Sequence, residues 1–388
     1  MKLLRPAVLR LVAFTLMSVV PCATALADAR PEPFAAGRAP GRSSPVNARQ
    51  GGRHSERSSK RSIRALMKKV FDWQAANPVG MNLENNNLWA RAAFYAGVMA
   101  AYRSTGDGKY LERASRWAEG RGWKLGERPR HADDHAPGQT YLELYMLRKD
   151  PAMMAHTKAT LDALVRDPRA GREDWWWCDA LFMAPPVLVR LYAATGDEKY
   201  LGLLDVMWWD TTDFLFDPWE KLYYRDKNFI GKLNAHGRKI FWARGNGWVM
   251  AGMARVLQYL PKRNRQHARY VGLLRAMAAS VSRLQGEDGL WRPSLLDPRE
   301  APVPETSSTG FFCYAIAWGI NNGYLDRRKY TPVVEKAWRG LVSSVRADGK
   351  LGWVQQIGYA PDKVTADDNQ EYGSGAFLLA GSEMLKLR

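Results

Sequence analysis

From residue 61 onward the apolar side chains recur at helical spacing. The first stripe is Ile63, Leu66, Met67, Val70, Phe71 and Trp73, closed by Asn77-Pro78. A second runs from Trp89 to Tyr102 and stops at Thr105-Gly106-Asp107. Comparable runs follow at 108–121, 137–148, 151–166, 179–194, 197–210, 245–260, 264–284, 309–321, 330–346 and 372–386, which predicts about twelve helices. Strand-like pieces are short, chiefly Lys221-Leu-Tyr-Tyr-Arg225 and Ile240-Phe-Trp242. One turn is written twice: Tyr102-Arg-Ser-Thr-Gly-Asp-Gly-Lys-Tyr-Leu111 matches Tyr192-Ala-Ala-Thr-Gly-Asp-Glu-Lys-Tyr-Leu201 at seven of ten positions. Gly ends one helix there and Asp caps the next. Asn321-Asn-Gly-Tyr-Leu-Asp326 with Lys329-Tyr330 is a looser third copy. Twelve helices make six hairpins, so the pattern predicts an all-α (α/α)6 barrel, with an open right-handed solenoid as the alternative.

The N-terminal residues follow another logic. Lys2, Arg5 and Arg10 precede the apolar stretch Leu11–Val20 and the small-residue site Ala25-Leu26-Ala27, the pattern of a secretory signal peptide over residues 1–27. The stretch is too short for a membrane span, so no membrane attachment is expected after cleavage, and the mature chain is expected outside the cytoplasm, in the periplasm. Residues 28–60 are rich in Arg, Gly, Pro and Ser without periodic apolar positions and are read as a disordered basic leader, leaving 61–388 as a single catalytic domain.

Composition narrows the partner. The formal net charge is +18, and an exported basic protein meets acidic glycans rather than nucleic acid. Sixteen tryptophans supply flat apolar faces suited to sugar rings as well as to a core. Past the signal only Cys178 and Cys313 remain, both in apolar runs, so no disulfide framework is expected.

Three polar clusters interrupt the apolar pattern. In Arg172-Glu-Asp-Trp-Trp-Trp-Cys-Asp-Ala-Leu-Phe-Met-Ala-Pro-Pro186, Asp179 stands among tryptophans, including Trp177, at an apolar helix start. Such a carboxyl tends to keep its proton, as a general acid requires; the competing reading is a helix N-cap. In His131-Ala-Asp-Asp-His-Ala-Pro-Gly-Gln139, Asp133, Asp134, His135 and Gln139 could face a cavity mouth. Asp134 or His135 could instead cap the next helix, and the spacing fits no zinc pattern. In Phe241-Trp-Ala-Arg-Gly-Asn-Gly-Trp248, Arg244 can grip a carboxylate with two parallel bonds while Trp242 or Trp248 stacks on a ring, unless Arg244 serves a neighbouring carbonyl.

Together with Pro304-Glu-Thr-Ser-Ser-Thr-Gly310 and Gln370-Glu-Tyr-Gly-Ser-Gly-Ala376, these segments resemble, in order and spacing, the unsaturated rhamnogalacturonyl hydrolases, relatives of the unsaturated glucuronyl hydrolases. The resemblance covers most of residues 61–388. It implies an (α/α)6 barrel, no metal or cofactor, and removal of a Δ4,5-unsaturated uronic acid from the non-reducing end of lyase-generated acidic oligosaccharides such as rhamnogalacturonan (pectin) fragments. It further implies that Asp179 is the acid/base and Asp134 the second essential carboxylate, with Asp133 beside it as the other candidate. Trp242 and Arg244 would hold the uronate, with Trp89, Trp177, Trp248, His135 and Gln139 as further contacts. The competing functions are a polysaccharide lyase on the same toroid and a non-catalytic toroid that binds acidic glycans.

Overall fold

The computed structural model of the chain describes residues 45–79 and 89–387, with side chains from residue 59 on. Contacts divide the chain into Met1–Gly51 and Gly52–Arg388, and the barrel lies in the second unit. The expected signal peptide, 1–27, lies outside the described residues. Of the expected disordered leader, 28–60, residues 28–44 also lie outside the described residues, and from Pro45 the chain is in the first helix.

Among the described residues twelve helices have eleven residues or more: α1 Pro45–Ala76, α2 Trp89–Thr105, α3 Gly108–Gly120, α4 Gly138–Arg148, α5 Ala152–Arg166, α6 Pro185–Thr195, α7 Lys199–Leu215, α8 Ala243–Leu257, α9 His267–Ser282, α10 Thr306–Asn321, α11 Arg327–Ser343 and α12 Glu371–Met384. The even-numbered helices are the inner ring. Each touches the next in the order α2, α4, α6, α8, α10, α12, and α12 returns to α2, so the ring closes and the open solenoid is excluded.

Sequence sets which helix is inside. Every residue of α8 and of α12 is buried, as expected for helices apolar on all sides. Outer helices bury one face only: α3 covers Tyr110, Ala114, Trp117 and Ala118, and α1 covers Ile63, Met67, Val70 and Phe71, each at helical spacing. Where α2 meets α12 the backbones touch. A Cβ on Gly97 would sit 2.3 Å from the Gly375 carbonyl oxygen, so only glycine permits this closure.

The repeated turns carry the chemistry read from them. Asp107, Asp197 and Asp326 accept bonds from the backbone N–H groups of Lys109, Lys199 and Lys329 at 3.0, 3.1 and 2.7 Å, and Gly106, Gly196 and Gly323 take positive φ at the preceding helix ends. One boundary departs from the expected pattern. The run 179–194 is a short turn, Ala180–Met183, followed by α6, because Pro185 and Pro186 lack the N–H groups that would continue the ladder.

The strand-like pieces are accessory. Phe216–Asp217 (β1) pairs antiparallel with Leu222–Tyr223 (β2), and Trp242 bridges Ser294.

Candidate active site

The inner helices point their N-termini at one end of the barrel. Trp89 opens α2, Asp133 lies in the turn before α4, Asp179 stands just ahead of the turn leading to α6, and Trp242 and Arg244 begin α8. These residues line one cavity of about 200 Å³ with Trp177, Met183 and Arg225, and with Ile357 and Gly358 from the loop before α12. Helix N-termini carry partial positive charge, so this end favours an anionic ligand.

Asp179 is 9% exposed and caps no helix, which removes the competing reading of that residue. Its carboxyl has two close neighbours: the Cys178 thiol donates to Oδ2 at 3.4 Å, and Arg225 Nε lies 3.9 Å from the same oxygen. Burial raises its pKa; Arg225, Arg244 and the thiol pull it back without cancelling the rise. Asp133 is raised as well, to about 7, by burial and then by the charge of Asp179, with Arg128 and Arg225 opposing. Two carboxyls that disfavour joint ionisation therefore hold a proton near neutrality, and their titration belongs to the pair.

The raised pKa also has a cost in stability. Asp133 binds its proton more tightly folded than unfolded, so the fold loses stability as pH rises from the ordinary carboxyl value of 3.8 through about 7. Asp133→Asn is therefore expected to melt above the wild type at pH 8 and level with it below about pH 4. Thermal unfolding at the two pH values checks this; equal melting at pH 8 would mean Asp133 is not held in a strained ionised state.

Asp134, expected as the second catalytic carboxylate, is placed elsewhere. Its oxygens accept from the Arg128 guanidinium at 2.6 and 3.2 Å and from the Arg128 backbone N–H at 2.7 Å. It ties down the loop before the turn, and Asp133 faces the cavity in its place. His135 is fully buried, with Nε2 2.8 Å from the Pro129 carbonyl, and caps nothing; His131 is the cap, its Nδ1 accepting from Asp133 N–H at 3.3 Å. Gln139 is also structural. Its amide donates to the Phe182 carbonyl at 2.7 Å and its oxygen accepts from Arg255 at 2.6 Å.

The cluster at the start of α8 is partly as expected. Trp242 lines the cavity, its indole N–H donating to Gln355 Oε1 at 2.8 Å. Arg244 spends Nη1 and Nη2 on the carbonyls of Gln355 and Gln356, at 2.7 and 2.9 Å, and lies between the rings of Trp242 and Tyr372. Those bonds leave its Nε without a hydrogen-bond partner, and its charge also acts on the Asp179 carboxyl. Trp248 is fully buried against Phe182 and Phe311 and cannot touch a ligand. Trp89 and Trp177 do line the cavity.

Arg225 was missed by sequence reasoning. It follows β2, and the Cys178 N–H donates to its carbonyl at 2.8 Å while Trp177 bridges Asp226, which sets the guanidinium beside Asp179. Its sequence neighbourhood reads only as a short strand, and nothing local marks it. A larger cavity of about 680 Å³ opens at the other end of the barrel, among Arg103, Gln258 and Asn321. Its one lining carboxylate, Glu383, is committed to Lys386 and Asn321, so the proton chemistry belongs to the smaller site.

Residues 58–388 match the model of Glycosyl Hydrolase Family 88. An unsaturated 3S-rhamnoglycuronyl hydrolase of Formosa agariphila is 40% identical over 360 residues, covering 88% of this chain and 93% of that protein. Two solved structures are similar throughout. A glycosyl hydrolase family 88 protein from Bacteroides vulgatus is 32% identical with TM-score 0.79 over 85% of this chain and 99% of its own. A protein named as a polysaccharide lyase is 35% identical with TM-score 0.78 over 84% and 97%.

Proposed function

The chain belongs to glycosyl hydrolase family 88, and from that membership we propose how its cavity removes an unsaturated uronic acid from the non-reducing end of an oligosaccharide. The observation that carries the reading is the pair Asp133 and Asp179, both raised in pKa, in one tryptophan-walled cavity.

A Δ4,5-unsaturated uronic acid is a vinyl ether, electron-rich at C4. Protonated Asp179 delivers its proton to C4, and positive charge develops on C5 and the ring oxygen. Water adds at C5 and returns a proton to the Asp179 carboxylate. The C5 hemiketal then opens by breaking the bond from C5 to the ring oxygen, leaving a ketone. C1 is now a hemiacetal, which releases the next sugar as an alcohol. Asp133 keeps the second negative charge beside the developing cation. Because the glycosidic oxygen is never protonated by a separate acid, the usual two-carboxylate spacing rule has no bearing.

Arg225 is assigned the uronate carboxylate, since it lines the cavity with its unpartnered Nε 3.9 Å from Asp179, whereas both Nη atoms of Arg244 already hold carbonyls. Arg225→Ala is expected to raise KM by roughly 10- to 100-fold, the worth of one charge-assisted bond. It is also expected to move the alkaline fall of kcat to higher pH, because a cation that lowers the Asp179 pKa is gone. A KM within two-fold of wild type, a bound set by the same arithmetic, would place the carboxylate elsewhere.

The sugar after the uronate is proposed to be rhamnose, bearing a 3-sulfate on the strength of the Formosa relative's name. Export by residues 1–27 would place the enzyme where extracellular lyases leave such fragments. The protein named as a lyase keeps one other reaction in view. Ultraviolet absorbance of the conjugated enol acid separates them: it falls on lyase-digested glycan for the hydrolase and rises on intact polymer for a lyase.

A further inference from the structure

The cavity mouth carries apolar surface that the chemistry on the uronate does not use. Trp176 is 40% exposed, although its ring packs on Trp177, with centroids 4.7 Å apart, and Trp177 lines the cavity. Arg225, another lining residue, places its guanidinium 5.2 Å from the Trp176 ring centroid, so the indole is held rather than free to swing. Ile357, also lining, is 39% exposed, and Tyr359 close behind it is 66% exposed.

Large apolar side chains gathered at the rim of a polar cavity mark a surface that a ligand covers. A cavity of about 200 Å³ takes one sugar ring, so the ring that follows must lie at this mouth. Building on the reaction set out above, we propose that Trp176 and Ile357 form the subsite for the leaving sugar and select a 6-deoxyhexose. The indole takes the apolar face of the ring. A C6 methyl then meets apolar surface, where the hydroxymethyl of an ordinary hexose would lose its hydrogen bonds to water without replacement.

The test uses the full-length enzyme and three substrates sharing the same unsaturated uronate: linked to rhamnose, linked to glucose, and as a methyl glycoside. Steady-state kinetics compare wild type, Trp176→Ala and Trp176→Phe. In Trp176→Ala the ratio of KM for the rhamnosyl substrate to KM for the methyl glycoside is expected to rise about ten-fold, the worth of one aromatic contact with its buried area. The preference of rhamnosyl over glucosyl is expected to shrink, and Trp176→Phe to recover most of both. An unchanged ratio in Trp176→Ala, with an active wild type, overturns the subsite and leaves the proposed reaction standing. A wild type that turns over none of the three overturns that reaction and the subsite with it.

Discussion

Asp179→Asn is expected to lower kcat by roughly two to four orders of magnitude, the usual worth of a positioned general acid. Binding should survive, because the amide keeps the shape of the carboxyl and the surrounding walls do not depend on it. The carboxyl accepts from the Cys178 thiol and lies 3.9 Å from Arg225 Nε, and it caps no helix, so its loss leaves none uncapped. Stability should not fall, since a buried carboxyl with a raised pKa is a burden when ionised. The wild-type pH profile follows the same logic. The proton must be present for turnover, so kcat/KM should fall as pH rises past about 7, where Asp133 and its partner lose the shared proton. Kinetics of the variant together with unchanged disaccharide binding by calorimetry test this; near-wild-type kcat would move the acid role to another group.

The second large effect lies at the barrel axis, in the charge cluster of α2, α4, α6 and α8. Glu143 accepts from Arg190 Nε at 2.9 Å and Arg255 Nη2 at 3.1 Å, and Arg103 closes on its other oxygen. Burial would raise its pKa, yet the three guanidiniums hold it down at about 2. Removing the single anion leaves Arg190 and Arg255, both fully buried, facing each other uncompensated. Glu143→Ala is therefore expected to cost about 3–5 kcal/mol, enough to unfold many domains of ordinary stability. Denaturant unfolding of soluble protein, or loss of soluble expression, reads the effect. The sign with pH is fixed as well: the contribution is present above the ordinary glutamate value of 4.5 and is lost as pH falls toward 2. A loss below 1 kcal/mol, typical of an exposed pair, would mean water reaches the cluster.

The same cluster explains part of what local sequence could not reveal. Gln139 looked like a site residue because it follows the Asp-Asp-His loop. Its amide instead joins Arg255 to the carbonyls of Phe182 and Met183, so it braces the turn that follows Asp179. The twelve helices were legible because an inner helix is largely apolar all round, its few charges paired with one another, and an outer one is apolar on a single face, a pattern written in each helix separately. The ring order followed from turns whose Gly and Asp act locally.

Side-chain direction was not local. Asp133 and Asp134 are neighbours with identical chemistry, and Arg128, a few residues upstream, decides which one faces the cavity by capturing Asp134. Arg244 is occupied by carbonyls of Gln355 and Gln356, from a loop far along the chain. That loop is itself placed by Glu305, whose carboxylate accepts from the Gln355 N–H at 3.1 Å while capping α10. Arg225 reaches Asp179 only through the bridge of Trp177 to Asp226. These are long-range pairings, and no periodicity within a helix announces them.

The most direct test follows the reaction by proton NMR in deuterium oxide. The account predicts that the vinylic signal at C4 disappears at the rate at which the released sugar appears, and that C4 of the open-chain product carries solvent deuterium delivered through Asp179. A free uronic acid that keeps its double bond after the next sugar has left would contradict it, because the glycosidic bond would then have been cleaved without protonation of C4.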